Sequence, residues 1–261
     1  MALLHHIVWP TIHWISNTYY ELRPSIHLFT QLDYGRITGR IFSFVGVFAI
    51  YLVFVKFIDK SNIRDSALCP KSSIVKFFIN GFLLGALMVA TTIALTFFTK
   101  SVSLVPLINW TASLPTVITL YLCVQLLTAA TEELIMRGYV LKNLAEIINP
   151  SSAVIITALI FGFWHLKYSF IYGSLAFIFG LVVGYGYIIT RNLYYCIGIH
   201  FAWNCIESVV YSQTLFNVTV HNILLAGDKG ITPDQQGLLS LPSLLIGLVI
   251  VLRMNKGKAT T

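Results

Sequence analysis

Leu114–Ala130, LPTVITLYLCVQLLTAA, is uncharged, and Thr131–Tyr139, TEELIMRGY, follows it with two adjacent carboxylates and an arginine. The first stretch reads as the start of a long membrane helix. The second sets three ionisable groups at membrane depth, where each costs about 2.5 to 3.5 kcal/mol on insertion scales and is retained chiefly for function. On a helix, Glu133 and Arg137 stand four residues apart with the acid first, the favourable order for an ion pair. Glu132 is turned about 100° from Glu133 at 3.6 residues per turn, and Arg137, five positions on, is poorly placed to reach it. One carboxylate is held and the other is available as a general base. The competing reading is an amphipathic helix end carrying a solvated Glu/Arg pair.

Composition points to the same solvent. The 261 residues are 57% hydrophobic and 10% charged, with a mean hydropathy of +0.80, whereas soluble domains carry about 25% charged residues. The expectation is an all-α polytopic membrane protein, a helix bundle of about seven or eight transmembrane spans. Apolar runs near the roughly 20 residues needed to cross a bilayer occur at Ile41–Phe57, Phe77–Phe98, Leu114–Val140, Ala153–Leu166, Ser169–Thr190, Tyr194–Tyr211 and Leu238–Leu252. Residues 1–36, with Trp9, Trp14 and several histidines, read as an N-terminal interfacial segment; residues 37–261 read as a single transmembrane domain whose motifs fall in 131–204. The net charge of +7 reads as topology and contact with anionic membrane lipid, not nucleic-acid binding. The positive-inside rule puts the Lys56–Lys76 loop in the cytosol together with Arg137, Lys142, Arg191 and Arg253, and the C-terminus with them.

Two further polar points interrupt apolar runs. Phe161-Gly162-Phe163-Trp164-His165 closes the fourth, and His200-Phe201-Ala202-Trp203-Asn204 occupies the middle of the sixth, with Glu207 continuing the His200/Asn204 face. Interhelical hydrogen bonding would account for either. Taken with Glu132 they also form a hydrolytic set: an acid to take a proton from water, His165 to position that water, and His200 with Asn204 to donate to the oxyanion of a tetrahedral intermediate. Gly180 and Gly184 make a small-xxx-small seam for close helix packing. The cysteines form no CxxC and read as core residues.

The ordered triple E-E-x-x-x-R (Glu132 to Arg137), F-x-x-x-H (Phe161 to His165) and H-x-x-x-N (His200 to Asn204) resembles the CPBP (Abi) family of intramembrane proteases. That family includes type II CAAX prenyl proteases and bacteriocin-processing or self-immunity proteins. The resemblance implies Glu132 as the base that activates water, Glu133 and Arg137 as its support, His165 as its partner, and His200 with Asn204 as the oxyanion site. It leaves metal dependence open. No cofactor is expected, because the amide of Asn204 is a good donor and a poor ligand; a divalent metal such as zinc stays compatible, with Glu132, His165 and His200 as its ligands. Other intramembrane protease chemistries lack their residues: all five aspartates lie outside the apolar runs, and there is no G-x-S-G or H-E-x-x-H.

The expected activity is therefore endopeptidase cleavage of a membrane-associated peptide or lipidated peptide, in a bacterial cytoplasmic membrane. The alternative is a non-catalytic immunity protein or transporter using the same buried polar residues. Oligomeric state is not indicated. Depth sets a condition on either. At 1.5 Å per residue Glu132 lies about 27 Å from Leu114, and His165 about 18 Å from Ala153 on a helix running back. The two meet only if the third helix begins beyond the outer surface, or the bundle tilts or the bilayer thins there.

Overall fold

The computed structural model describes residues 34–106, 114–211, 216–227 and 237–256; of the interfacial segment expected at 1–36, residues 1–33 lie outside them. Among the described residues the chain is a helix bundle, as its hydropathy requires. Helix α1 is Tyr34–Val53, continued by a π turn at Phe54–Ile58, and α2 is Ile74–Phe98. Helix α3, Leu114–Glu133, passes into a π-helical segment, Leu134–Leu141, and then into the short α4, Lys142–Ile147. Helices α5 (Pro150–His165), α6 (Phe170–Thr190) and α7 (Leu193–Tyr211) follow, then the short α8 (Ile223–Ala226) and α9 (Ser240–Lys256). Each of the seven apolar runs has its helix. Four of them, at Thr38–Ile58, Ile74–Phe98, Ile118–Ile147 and Phe170–Thr190, are long and apolar enough to cross a membrane by themselves.

Local chemistry sets the boundaries. Ser73 caps α2 by accepting from the Lys76 N–H, Asn149 caps α5 ahead of Pro150, and Ser169 caps α6 from Tyr172. Arg191, left-handed at φ 53°, ends α6. One departure from the all-α expectation is a two-stranded antiparallel ribbon, β1 (Val102–Pro106) with β2 (Phe216–Val220), in which Val102 pairs with Val220 and Pro106 with Phe216. A second is the π segment, where continuous α geometry was expected.

Close helix contacts hold the bundle. The seam residues Gly180 and Gly184 lie against Ala158 and Val154, where an added Cβ would stand 3.0 and 2.9 Å from the nearest atoms. Helices α2 and α7 meet backbone to backbone, Gly81 facing the Tyr195 carbonyl and Gly198 the Phe78 carbonyl. The polar ends of the bundle differ. One, the basic face, carries the loop after α1, where the Tyr139 hydroxyl donates to Asp59 at 3.0 Å and Tyr194 to the Leu68 carbonyl. The other, the ribbon face, carries β1 and β2, with Tyr211 bonded to Thr96 at 2.9 Å beneath them. Arg137, grouped by charge with the basic loops, is instead buried within the bundle at 1% exposure.

Candidate active site

The buried end of α3 gathers the charges. Arg137 donates from one guanidinium nitrogen to Glu133 Oε1 at 2.9 Å and from another to the Gly180 carbonyl at 3.2 Å. Its guanidinium also lies over the Phe161 ring, 5.1 Å from the centroid. The i,i+4 pair read from the sequence forms. What the sequence did not carry is its third member: Nδ1 of His200, from α7, lies 2.8 Å from the same Glu133 oxygen. Glu133 is fully buried, and among the described residues its Oε2 and Arg137 Nε find no hydrogen-bond partner.

Glu132 takes the other direction, as a 100° rotation demands. Its side chain keeps 35% exposure, and its Oε2 stands 3.9 Å from His200 Nε2. That gap is too long for a direct hydrogen bond and suits a bridging water or a substrate oxygen. His200 is thus placed between the two acids, Nδ1 on Glu133 and Nε2 towards Glu132.

His165 ends α5. Its Nδ1 lies 2.7 Å from the Phe161 carbonyl, so Nδ1 carries the proton and Nε2 is left as an acceptor. The Phe161 ring lies under both imidazoles, at 4.5 Å from His165 and 6.2 Å from His200, and Phe179 of α6 packs edge-on to His200 at 5.3 Å. A cavity of about 40 Å³ has His165, His200 and Asn204 at its polar edge. At about 10 to 15 Å³ per ordered water, that is space for about three or four waters. The walls are apolar and aromatic: Phe161, Phe179, Trp203 and Leu244 among them.

The structure therefore brings Glu132, Glu133, Arg137, His165, His200 and Asn204 into one neighbourhood, with Phe161 as the shared surface. The motif phenylalanine had no role assigned from the sequence; its spacing of four from His165 is the signal that places it on the same helix face. Lys167, just beyond His165, has its ammonium pulled below the ordinary lysine range by lost hydration, held up by Glu132 and lowered again by Arg40. A metal is a different matter. Glu132, His165 and His200 are the residues that zinc chemistry would need, yet among the described residues no three His, Cys, Asp or Glu form a cluster able to hold an ion.

Residues 113–206 match the Rce1-like family of type II CAAX prenyl endopeptidases. The Rce1-like region runs from the start of α3 to the middle of α7 and contains all three motifs, in keeping with the resemblance read from them. No curated protein matches the chain. The match covers just over a third of the chain and implies intramembrane peptidase activity of the CAAX type in general; together with the apolar helices it points to an integral membrane protein.

Proposed function

We propose that the chain is an intramembrane endopeptidase in which Glu132 activates water against a peptide carbonyl. The observation that carries this is the placement of His200, 2.8 Å from a neutralised Glu133 and 3.9 Å from a half-open Glu132. Glu133, already engaged by Arg137, is a poor base. Among the described residues Glu132 has no such close partner, and the His200 that faces it lines the cavity.

The steps follow from these positions. Water held by the acceptor Nε2 of His165 gives a proton to Glu132 as it attacks the carbonyl carbon. The oxyanion that forms receives hydrogen bonds from His200 Nε2 and the Asn204 amide. As an imidazolium between two carboxylates, His200 donates from both nitrogens. Glu133 and Arg137 hold it in that orientation. The protonated Glu132 then passes its proton to the leaving amine, which closes the cycle with no net proton uptake. A membrane-associated peptide or lipidated peptide, with its cleavable bond bordered by apolar side chains, fits the aromatic walls. The basic face is assigned to the cytosol of a bacterial cell, with the C-terminus on that side.

The test compares cleavage products in membranes carrying wild type and Glu132→Gln. The variant should fold and retain substrate while losing turnover by about 100- to 10,000-fold, the usual contribution of a general base. A biological phenotype that survives intact in Glu132→Gln would make the chain a binding or immunity protein.

A further inference from the structure

The α5–α6 hairpin stops short of the ribbon face. Tyr172 and His165, whose rings lie 5.3 Å apart, line the same cavity as Asn204. Helix α7 runs on from Asn204 to Tyr211, about 10 Å further at 1.5 Å per residue. There Tyr211 meets Thr96 near the end of α2, and both chains continue into the ribbon. The hairpin turn Leu166–Ser169 follows directly on His165 and is level with the cavity to within about one helical turn. Its tip therefore lies roughly 5 to 10 Å below its neighbours on that side. The cause is obliquity. Phe179 packs on His200, and Tyr172, about 10 Å on along α6, reaches only to Asn204, about 6 Å on along α7.

The tip is not built for hydrocarbon. Lys167 holds its ammonium 5.3 Å from the Trp164 ring and 4.9 Å from Tyr168. Phe163 and Phe170 project beside it at 77% and 80% exposure. Tryptophan and tyrosine with lysine are the composition of the headgroup layer, and a lysine at this depth, opposed only by the charge of Glu132, would be costly without a headgroup beside it. Arg40 adds a second cation near Lys167 from the ribbon-side end of α1.

We propose that the α5–α6 tip docks phospholipid headgroups, with Lys167 and Arg40 on the phosphates. It thereby draws the ribbon-side leaflet inward, and water reaches His165 and Glu132 through the recess above it. That this water is used for hydrolysis rests on the proposed function; the position of the leaflet does not. The occupant is the lipid surface, favoured by paired cations, exposed aromatics and a helix end that is too short.

The test labels single thiols with a membrane-impermeant maleimide added to one side of sealed proteoliposomes. Cys196 and Cys205 are buried, so the background needs only Cys69→Ser and Cys123→Ala. Reference positions are Val105→Cys on the ribbon, Lys71→Cys on the basic face and Leu159→Cys on the lipid-facing side of α5. Lys167→Cys should label from the Val105 side, within about threefold of the Val105→Cys rate and at least tenfold faster than Leu159→Cys, because only headgroup-level sites meet water. Lengthening the acyl chains from 14 to 22 carbons should slow it severalfold, since a thicker leaflet is harder to draw down. Labelling as slow as Leu159→Cys, or labelling from the Lys71 side, overturns the proposal. Acylation of Lys167 by an impermeant amine reagent in the unsubstituted protein repeats the measurement without a variant. Neither readout needs turnover, so a chain that proved inactive would still decide the point.

Discussion

Two buried polar clusters divide the bundle. Towards the middle, Glu133, Arg137 and His200 share charge through a single carboxylate oxygen. Towards the ribbon, hydroxyls and an amide couple helices, Thr96 with Tyr211, Thr92 with Ser243 at 2.8 Å, and Gln125 with Ser208 at 3.0 Å, with the buried Glu207 one turn before Tyr211. The neutral couples are separable, since a hydroxyl that loses one partner can turn to a carbonyl of its own helix, as Thr96 already does to Ile93. The charged cluster is not. Each member is tolerated only because the other two are present. A bilayer protein can use hydroxyls as ordinary interhelical contacts, whereas buried ions must be installed as a set, and the set here is next to the reactive acid.

That contrast can be broken in graded steps. Replacing Arg137 by Met should have the largest effect, lowering stability by about 3 to 5 kcal/mol because Glu133 is left buried without its cation; thermal unfolding in detergent measures it, and a shift no bigger than that of a hydroxyl deletion would erase the distinction. Asn204→Ala removes a cavity amide that leaves the charged cluster whole. It should reduce turnover by about 100- to 1,000-fold with an unchanged melting temperature, as for loss of one oxyanion donor. The smallest change belongs to the neutral cluster: Tyr211→Phe should cost about 1 kcal/mol, the net worth of one hydrogen bond, and leave cleavage rates as they were. A large loss of activity in Tyr211→Phe would mean that the two clusters are coupled.

Among the described residues hydropathy alone located the seven long helices, because an apolar run of that length has few other outcomes in a bilayer. It failed on the ribbon. Phe216–Val220 and Val102–Pro106 do show alternation, but five residues each is too short a signal against a helical background. Within the site, the Glu133–Arg137 pair was legible because its partners are one turn apart. The capture of Glu133 by His200, 67 positions away, was not, since pairing across helices depends on rotations that no local spacing records. The same holds for Phe161, whose position on the histidine face was readable and whose service to an arginine on another helix was not.

The π-helical turns after Glu133 hold a surplus of chain relative to α geometry, as π segments do. Everything past them is swung round from where an uninterrupted α-helix would point it. Tyr139 consequently meets Asp59 and the Tyr51 ring at the end of α1. The clasp that fastens the outermost helix is therefore set by one local underwinding, so that a deletion restoring regular pitch there would turn Tyr139 away from Asp59.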